Sequence, residues 1–446
     1  MNKSRKLLNS ILSNYYLLQL KRDQWRNPQK LKNIQFKKLK TIVKYAYMYI
    51  PYYHRLFASA KIKPSDIKKA DDFKRIPLTS KQDLQNNPSR MIPQGINSVN
   101  FRTKFTSGST GYPLNILHDW NHIKHANASA RYSFFENGLR VRDRFATIWG
   151  RAQSILWTKA YVKLLEGINE IVIPVYQQEK LIKVLQSIKA DVINTFPSVL
   201  SSLAASDVRE INPRLIFTQG EVVTPHCREV VKKLFDSGLF EIYGSVEFSH
   251  LAFECTEHCG LHMLTNDAYI EFVDEEGEPV APGEEGEIVV TGLNNRVMPL
   301  IRYRIGDLGI PTNEKCPCGR TWPLLRNVQG RSNDYFILTS GRKIIFHHFY
   351  HHVYKELEKN VFSFSQFMMI QDKKDRIILQ VVKGQKYEPK MLERIKHNLE
   401  TYFLSIGEKM EVVTEVVKEI PLERTGKRRK IIRNVINQNK NVAVGL

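Results

Sequence analysis

Phe105 to Pro113 read FTSGSTGYP. Two glycines, four Ser and Thr hydroxyls and a proline fall within nine residues. Such a run breaks a helix and makes a poor strand, so it reads as a donor-rich loop. Backbone N–H groups in a loop of this kind can converge on a phosphate, with the hydroxyls as further donors. Gly108 and Gly111 would let the backbone approach closely. The spacing G-x-x-x-x-G-K-[ST] is absent, and taken alone the run also reads as an ordinary surface loop.

Outward from this loop the pattern becomes regular. A helix is predicted over 119–137, ending near Gly138. From 145 strands alternate with helices. RFATIWG, INEIVIPV, DVINTF, PRLIFTQG and LFEIYGS read as strands, and QEKLIKVLQSIKA, PSVLSSLAAS and TPHCREVVKKLF as helices. That alternation predicts a largely parallel α/β sheet. Residues 265–310 carry short strands with Gly/Pro turns, a small β subdomain. Upstream, residues 1–75 read as helical, with Pro51 ending a second helix and Thr79 or Ser80 as N-cap of the next. Beyond 333 come a hairpin (DYFILTSGRKIIF), a helix (HHFYHHVYKELEK), two strands and a further helix, a compact α+β unit.

The chain has 446 residues, 42% apolar and 25% charged, ordinary for a globular protein of two or three domains. No apolar run reaches the roughly 18 residues of a membrane span. The N-terminus lacks the compact apolar core and cleavage site of a signal peptide. The net charge of +22 is concentrated in Lys3 to Lys44 and Arg424 to Lys440. It reads either as a solvated basic surface or as a contact for an anionic partner. Five cysteines do not make a disulfide scaffold. Cys227 stands alone, while Cys255, Cys259, Cys316 and Cys318 form two close pairs, pointing to a reducing compartment and a tetrahedral zinc site. His262 competes for one ligand place.

Downstream of the loop stand TQGE (218–221), YGSVE (243–247), YRIGDLG (303–309), GR (330–331) and RTGK (424–427). In this order they resemble the motif series of the adenylate-forming superfamily. IPLTSKQDL, ECTEHCGLHM and CPCGR are similar to its phenylacetate–CoA ligase and CapK-like family. The resemblance covers roughly 45–435.

It implies a loop of Thr106, Ser107, Gly108, Ser109, Thr110 and Gly111 that grips the β and γ phosphates of ATP. Leu114 stands where many relatives carry Lys. Gly220 and Glu221 would lay backbone along adenine, and Tyr243, followed by Gly244, would stack on it. Ser245 would bond phosphate or the acyl carboxylate. Glu247 would hold Mg²⁺, Asp307 would accept the ribose hydroxyls, and Arg331 would bind ribose or phosphate. Lys427 would be the catalytic cation on the developing phosphorane. Asn333, with Asp334 next, stands at the usual hinge position, and SGRKIIFHHFYHHV replaces the glycine-rich stretch lining the pantetheine tunnel. His347, His348, His351 and His352 contain two i, i+4 pairs, which suit a polar helix near the acceptor entrance or a metal.

The expected fold is α/β: a large multi-layer domain with mainly parallel sheets plus a small β subdomain, and a mobile α+β C-terminal domain. The expected division is a basic helical segment 1–75, an ATP- and acid-binding domain 76–332 and a lid 333–446. The expected activity is ATP-dependent, AMP-forming ligation of a small-molecule carboxylic acid to CoA in the cytoplasm, with ATP, Mg²⁺ and structural Zn²⁺. Two alternatives stay open. One is transfer to an amine or hydroxyl in polysaccharide or natural-product biosynthesis. The other is an inactive ligase fold that binds nucleic acid or a membrane surface. Glu247, Asp307 and Lys427 oppose the last, nucleic acid especially; the basic ends leave peripheral contact with an anionic surface open.

Overall fold

The computed structural model describes residues 3–96, 101–106, 114–151, 161–165, 168–175, 178–203, 208–332, 334–345, 348–349, 363–384, 386–421 and 431–434. Ser107, Gly108, Ser109, Thr110 and Gly111, Asn333, His347, His351, His352 and Lys427 lie outside the described residues.

The N-terminal segment forms three helices, Lys3–Asp23, Pro28–Tyr49 and Pro51–Ser59. Asn27 caps the second, accepting from the Gln29 and Lys30 N–H groups, with Pro28 at the first helical position. Pro51 ends that helix, as expected, and opens the next, where its missing N–H costs nothing. Ser80 is the N-cap of Lys81–Asn86. Its hydroxyl accepts from the Asp83 N–H, and the Asp83 carboxylate accepts from the Ser80 N–H at 2.8 Å, a reciprocal capping box.

Among the described residues one twelve-stranded sheet dominates. Edge to edge it runs Ala268–Val273, Gly286–Gly292, Tyr303–Thr312, Leu324–Arg331, Leu261–Met263, Ser249–Glu254, Gly238–Ser245, Leu215–Gln219, Val192–Thr195, Phe145–Arg151, Ile168–Val175, Tyr161–Leu165. The stretch from Gly238–Ser245 to Ile168–Val175 is parallel. Everything from Ser249–Glu254 to Ala268–Val273 is antiparallel. The strands predicted as a small β subdomain thus continue the main sheet as its antiparallel wing. Alternation in the sequence identifies a strand but not the edge it joins.

Strand order reverses at Phe145–Arg151. The chain leaves it for Ile168–Val175 on one side and then returns to Val192–Thr195 on the other. Ligands of open α/β sheets bind beyond the carboxyl ends of the strands at such a point.

The helices at 39–57 bury Leu39, Ile42, Val43, Tyr53 and Phe57 in one core with Val290, Leu300, Ile301 and Tyr303 of the wing. The Tyr53 hydroxyl accepts from the Ile301 N–H at 2.9 Å. Residues beyond 334 build their own core from Phe336, Met369, Leu379, Ile395, Leu399 and Phe403. The hairpin Tyr335–Ile337/Lys343–Ile345 and the helix Pro389–Ser405 accompany a four-stranded sheet, as the α+β reading expected.

Candidate active site

The strand Gly238–Ser245 delivers the first group of side chains. A bulge falls between Tyr243 and Gly244. A Cβ on Gly244 would lie 2.3 Å from the Ser249 carbonyl oxygen, so only glycine fits there. The chain then turns sharply. The Ser245 hydroxyl accepts from the Phe248 N–H at 3.3 Å, and Ser249 takes a left-handed conformation, φ 62°. The turn leaves Glu247 half-buried. His118, fully buried on the strand Asn115–Asp119, approaches the Glu247 carbonyl with Nε2 at 3.3 Å.

Asp307 and Arg331 arrive on neighbouring antiparallel strands as direct cross-strand partners. Arg331 Nε lies 3.6 Å from Asp307 Oδ1, and the Tyr243 hydroxyl donates to Asp307 Oδ2 at 2.9 Å. The residue expected to stack on adenine therefore also orients the carboxylate expected to hold ribose. Burial pushes the Glu247 carboxyl up from its ordinary range. Ser245 and Arg331 oppose that shift, and the Asp307 charge adds to it. Burial, then Asp307, drive the Tyr243 phenol well above its usual value, so its proton stays in place. The Asp307 charge raises the Arg331 guanidinium in turn.

Gly220 adopts φ 83° at the end of the strand Leu215–Gln219. The Glu221 carboxylate accepts from the Ser198 N–H and the Ser198 hydroxyl, both at 2.9 Å. It thereby caps the first turn of the helix Pro197–Leu203. The Glu221 side chain is thus engaged by Ser198, while the expectation at 220–221 concerned the backbone. Thr106 closes the neck of the glycine loop. Its N–H donates to the Leu114 carbonyl at 3.0 Å, and its hydroxyl accepts from the Leu114 N–H at 2.9 Å.

Sequence reasoning missed three contributors. His118 occupies an inward-facing position of its strand, on the same face as Ile116; a histidine at such a position was the available signal. Lys81 opens the helix Lys81–Asn86 beside the site. Burial, then Arg331, lower its pKa, while Glu247 raises it. The neighbouring Thr79 is tied to the strand that carries Asp307 through Thr79 N to Arg302 O (2.9 Å) and Arg304 N to Thr79 O (2.8 Å). At the strand-order reversal Trp149 lies against Phe196 with ring centroids 4.2 Å apart, an aromatic shelf. No sequence pattern links those two positions.

The metal-type cluster is separate. One donor atom from each of Cys255, His262, Cys316 and Cys318 falls within 4.8 Å of all the others. Cys255 Sγ is 3.5 Å from Cys316 Sγ, and Cys318 Sγ is 3.3 Å from His262 Nε2. Cys259 is exposed, and its thiol donates to the Glu257 carbonyl instead. Three thiols and one imidazole suit tetrahedral zinc. Of the histidine run, His348 is described, 3.7 Å from Glu285.

Residues 97–299 match the AMP-binding enzyme family and residues 337–434 the CapK C-terminal domain. Phenylacetate-coenzyme A ligase of Thermus thermophilus is 30% identical over 328 residues, 70% of this chain and 72% of that protein. The Escherichia coli enzyme of the same name is 29% identical over 323 residues, 69% of this chain and 72% of its own length. Protein CapK of Staphylococcus aureus is 22% identical over 376 residues, 81% and 80%. Among solved structures, 2-hydroxyisobutyryl-CoA ligase with 2-HIB-AMP in the postadenylation state superposes with a TM-score of 0.73. That match has 22% identity and covers 90% of this chain and 89% of the other.

Proposed function

Because this chain belongs to the adenylate-forming enzymes, in the family of the phenylacetate–CoA ligases and CapK, we propose that it is an ATP-dependent, AMP-forming acid–CoA ligase. The observation that carries this reading is the convergence of Tyr243, Glu247, Asp307 and Arg331 at one end of the sheet. In the first half-reaction an oxygen of the acid attacks the α-phosphorus of ATP. The bond to the bridging oxygen breaks and pyrophosphate leaves. In the second the CoA sulfur attacks the acyl carbon and AMP leaves. Both reactants of the first step are anions, so the site must neutralise charge and align them.

Asp307 accepts the ribose hydroxyls, held in register by the Tyr243 hydroxyl and Arg331. The backbone at Gly220 and Glu221 and the ring of Tyr243 flank adenine. Thr106 fixes the neck of the loop whose Ser107 to Gly111 donors bind the β and γ phosphates. Ser245 bonds the phosphate or the acyl carboxylate. Glu247 offers a hard, half-buried oxygen donor that fits Mg²⁺, which when bound neutralises phosphate oxygens. Lys81, with Arg331, supplies positive charge in a site where Leu114 replaces a lysine of many relatives. Lys427 delivers the mobile cation to the α-phosphate. Cys255, His262, Cys316 and Cys318 hold a structural zinc, with Cys259 outside the set.

A second reading concerns the acceptor. The match of 337–434 to the CapK C-terminal domain, together with the histidine-rich stretch at 347–352, favours an amine or hydroxyl in place of CoA. Pyrophosphate release measured over aryl, fatty and amino acids, with and without CoA, tests both. Acid-dependent release with acyl-CoA as product supports the ligase. Release with no CoA thioester under any acid supports the second reading. No release with any acid refutes adenylation.

A further inference from the structure

From Ile11 onward the first helix, Lys3–Asp23, buries one face and leaves the other bare. On the buried side Leu20, Asp23 and Gln24 face the molecule, and the Tyr16 ring stacks on His125 at 3.7 Å. On the outer side Ile11 is 56% exposed, Tyr15 60% and Leu18 66%; Trp25, in the turn that follows, is 53% exposed. With Arg22 these positions step by four, three, four and three residues, so they form one stripe. At 1.5 Å per residue the stripe is roughly 21 Å long. Large apolar side chains aligned this way on a surface mark a contact.

The surrounding charge says with what. The first 65 residues contain fifteen Lys and Arg and one acidic residue, Asp23. Asp23 is buried and its carboxylate is already engaged, accepting from Asn266 Nδ2 at 2.8 Å and from Arg26 Nε at 3.0 Å. Arg22, Lys30, Lys32, Lys37, Lys40 and Lys44 are all exposed. Two copies meeting stripe to stripe would press two such cationic fields together. A nucleic-acid backbone would meet the cations but gain nothing from Ile11 and Leu18. An interface with apolar depth beneath an anionic surface satisfies both halves, and Tyr and Trp favour that boundary. We propose that the N-terminal helices dock this enzyme peripherally on an anionic lipid surface. No helix among the described residues is long and apolar enough to cross a membrane, so the contact lies in the interface plane.

The test is sedimentation of the full-length protein with vesicles of phosphatidylcholine alone or containing phosphatidylglycerol. Anionic vesicles should bind at least about ten-fold more tightly, and added salt should weaken that binding. The triple variant I11S/Y15S/L18S touches no residue of the ligase site. It should lose at least about ten-fold in vesicle affinity while releasing pyrophosphate at the parental rate. Equal binding to both vesicle types, or undiminished binding by the triple variant, would overturn the proposal. So would a parental dimer that the triple variant turns into a monomer, which would assign the stripe to a second copy. Tighter binding to duplex DNA than to anionic vesicles, unchanged in the triple variant, would assign the charge to nucleic acid.

Discussion

Glu247 is a carboxylate whose burial raises its proton affinity, with Asp307 nearby adding to the penalty. A carboxyl whose folded pKa lies above its unfolded value costs stability progressively as pH rises above the unfolded value, and the full penalty remains above the folded one. Glu247→Gln should therefore raise the melting temperature of the ligand-free protein at pH 7. The same change should cut acid-dependent pyrophosphate exchange at least about 100-fold, the scale of losing a principal electrostatic group. Near-normal exchange would remove Glu247 from the chemistry, and a lowered melting temperature would contradict the burial account. Tyr243 shows what local sequence can and cannot disclose. YGSVE marks the residue, but its bond to Asp307 joins positions 64 apart in the chain. Only the order of strands in the sheet brings them together.

Among elements, the hairpin Phe101–Phe105/Asn115–Asp119 and the turn bearing Glu247 meet through His118. Burial, then the Lys104 charge, lower the His118 imidazole to about 4, so it stays neutral in the fold. Between the ordinary value of 6.5 and about 4 the unfolded chain binds the extra proton. Stability thus falls as pH falls through that window, with a slope from this group of up to about 1.4 kcal/mol per pH unit. His118→Phe should flatten that acid slope and raise the Mg²⁺ concentration needed for half-maximal pyrophosphate exchange. An unchanged Mg²⁺ dependence would leave His118 with packing alone.

Elements also explain what was legible. The motif series and the βα alternation are short-range patterns; the first pointed to the family and the second to the parallel strands. The antiparallel wing read as a small β subdomain within the large domain, because hydrogen-bond partners across a sheet leave no mark on local spacing. The metal cluster was half legible. Two cysteine pairs announced it, but choosing His262 over Cys259 needed the strand Leu261–Met263 in place. On the proposal that zinc joins that strand to the loop of Cys316 and Cys318, the purified protein should carry about one zinc per chain. Cys316→Ser should lower thermal stability more than turnover per folded molecule. Metal-free protein by elemental analysis would refute the site.

Across the whole molecule, the proposed reaction draws groups from two parts of the chain. Asp307 lies in the large sheet and Glu247 in a turn between two of its strands, and Lys427 stands in sequence between Phe403 and Ile431 of the separate core. Lys427→Ala should abolish adenylation, by about 1000-fold if it is the main cation at the transition state. Given a synthetic acyl-adenylate and the acceptor, the variant should still complete transfer. Loss of both steps together would make Lys427 structural. The packing of Leu39, Ile42, Tyr53 and Phe57 against Val290, Leu300 and Ile301 has a consequence for biosynthesis. More than 200 residues separate the two sides of that core, which at 5–20 residues per second is roughly 10–40 s of translation. Throughout that interval the apolar face of these helices has only the neighbouring residues between Ile62 and Ile116 to pack against and lacks its partners from the wing. The N-terminal helices are made first and finish folding late, so a chain halted before the wing is complete should be a client of chaperones and proteases.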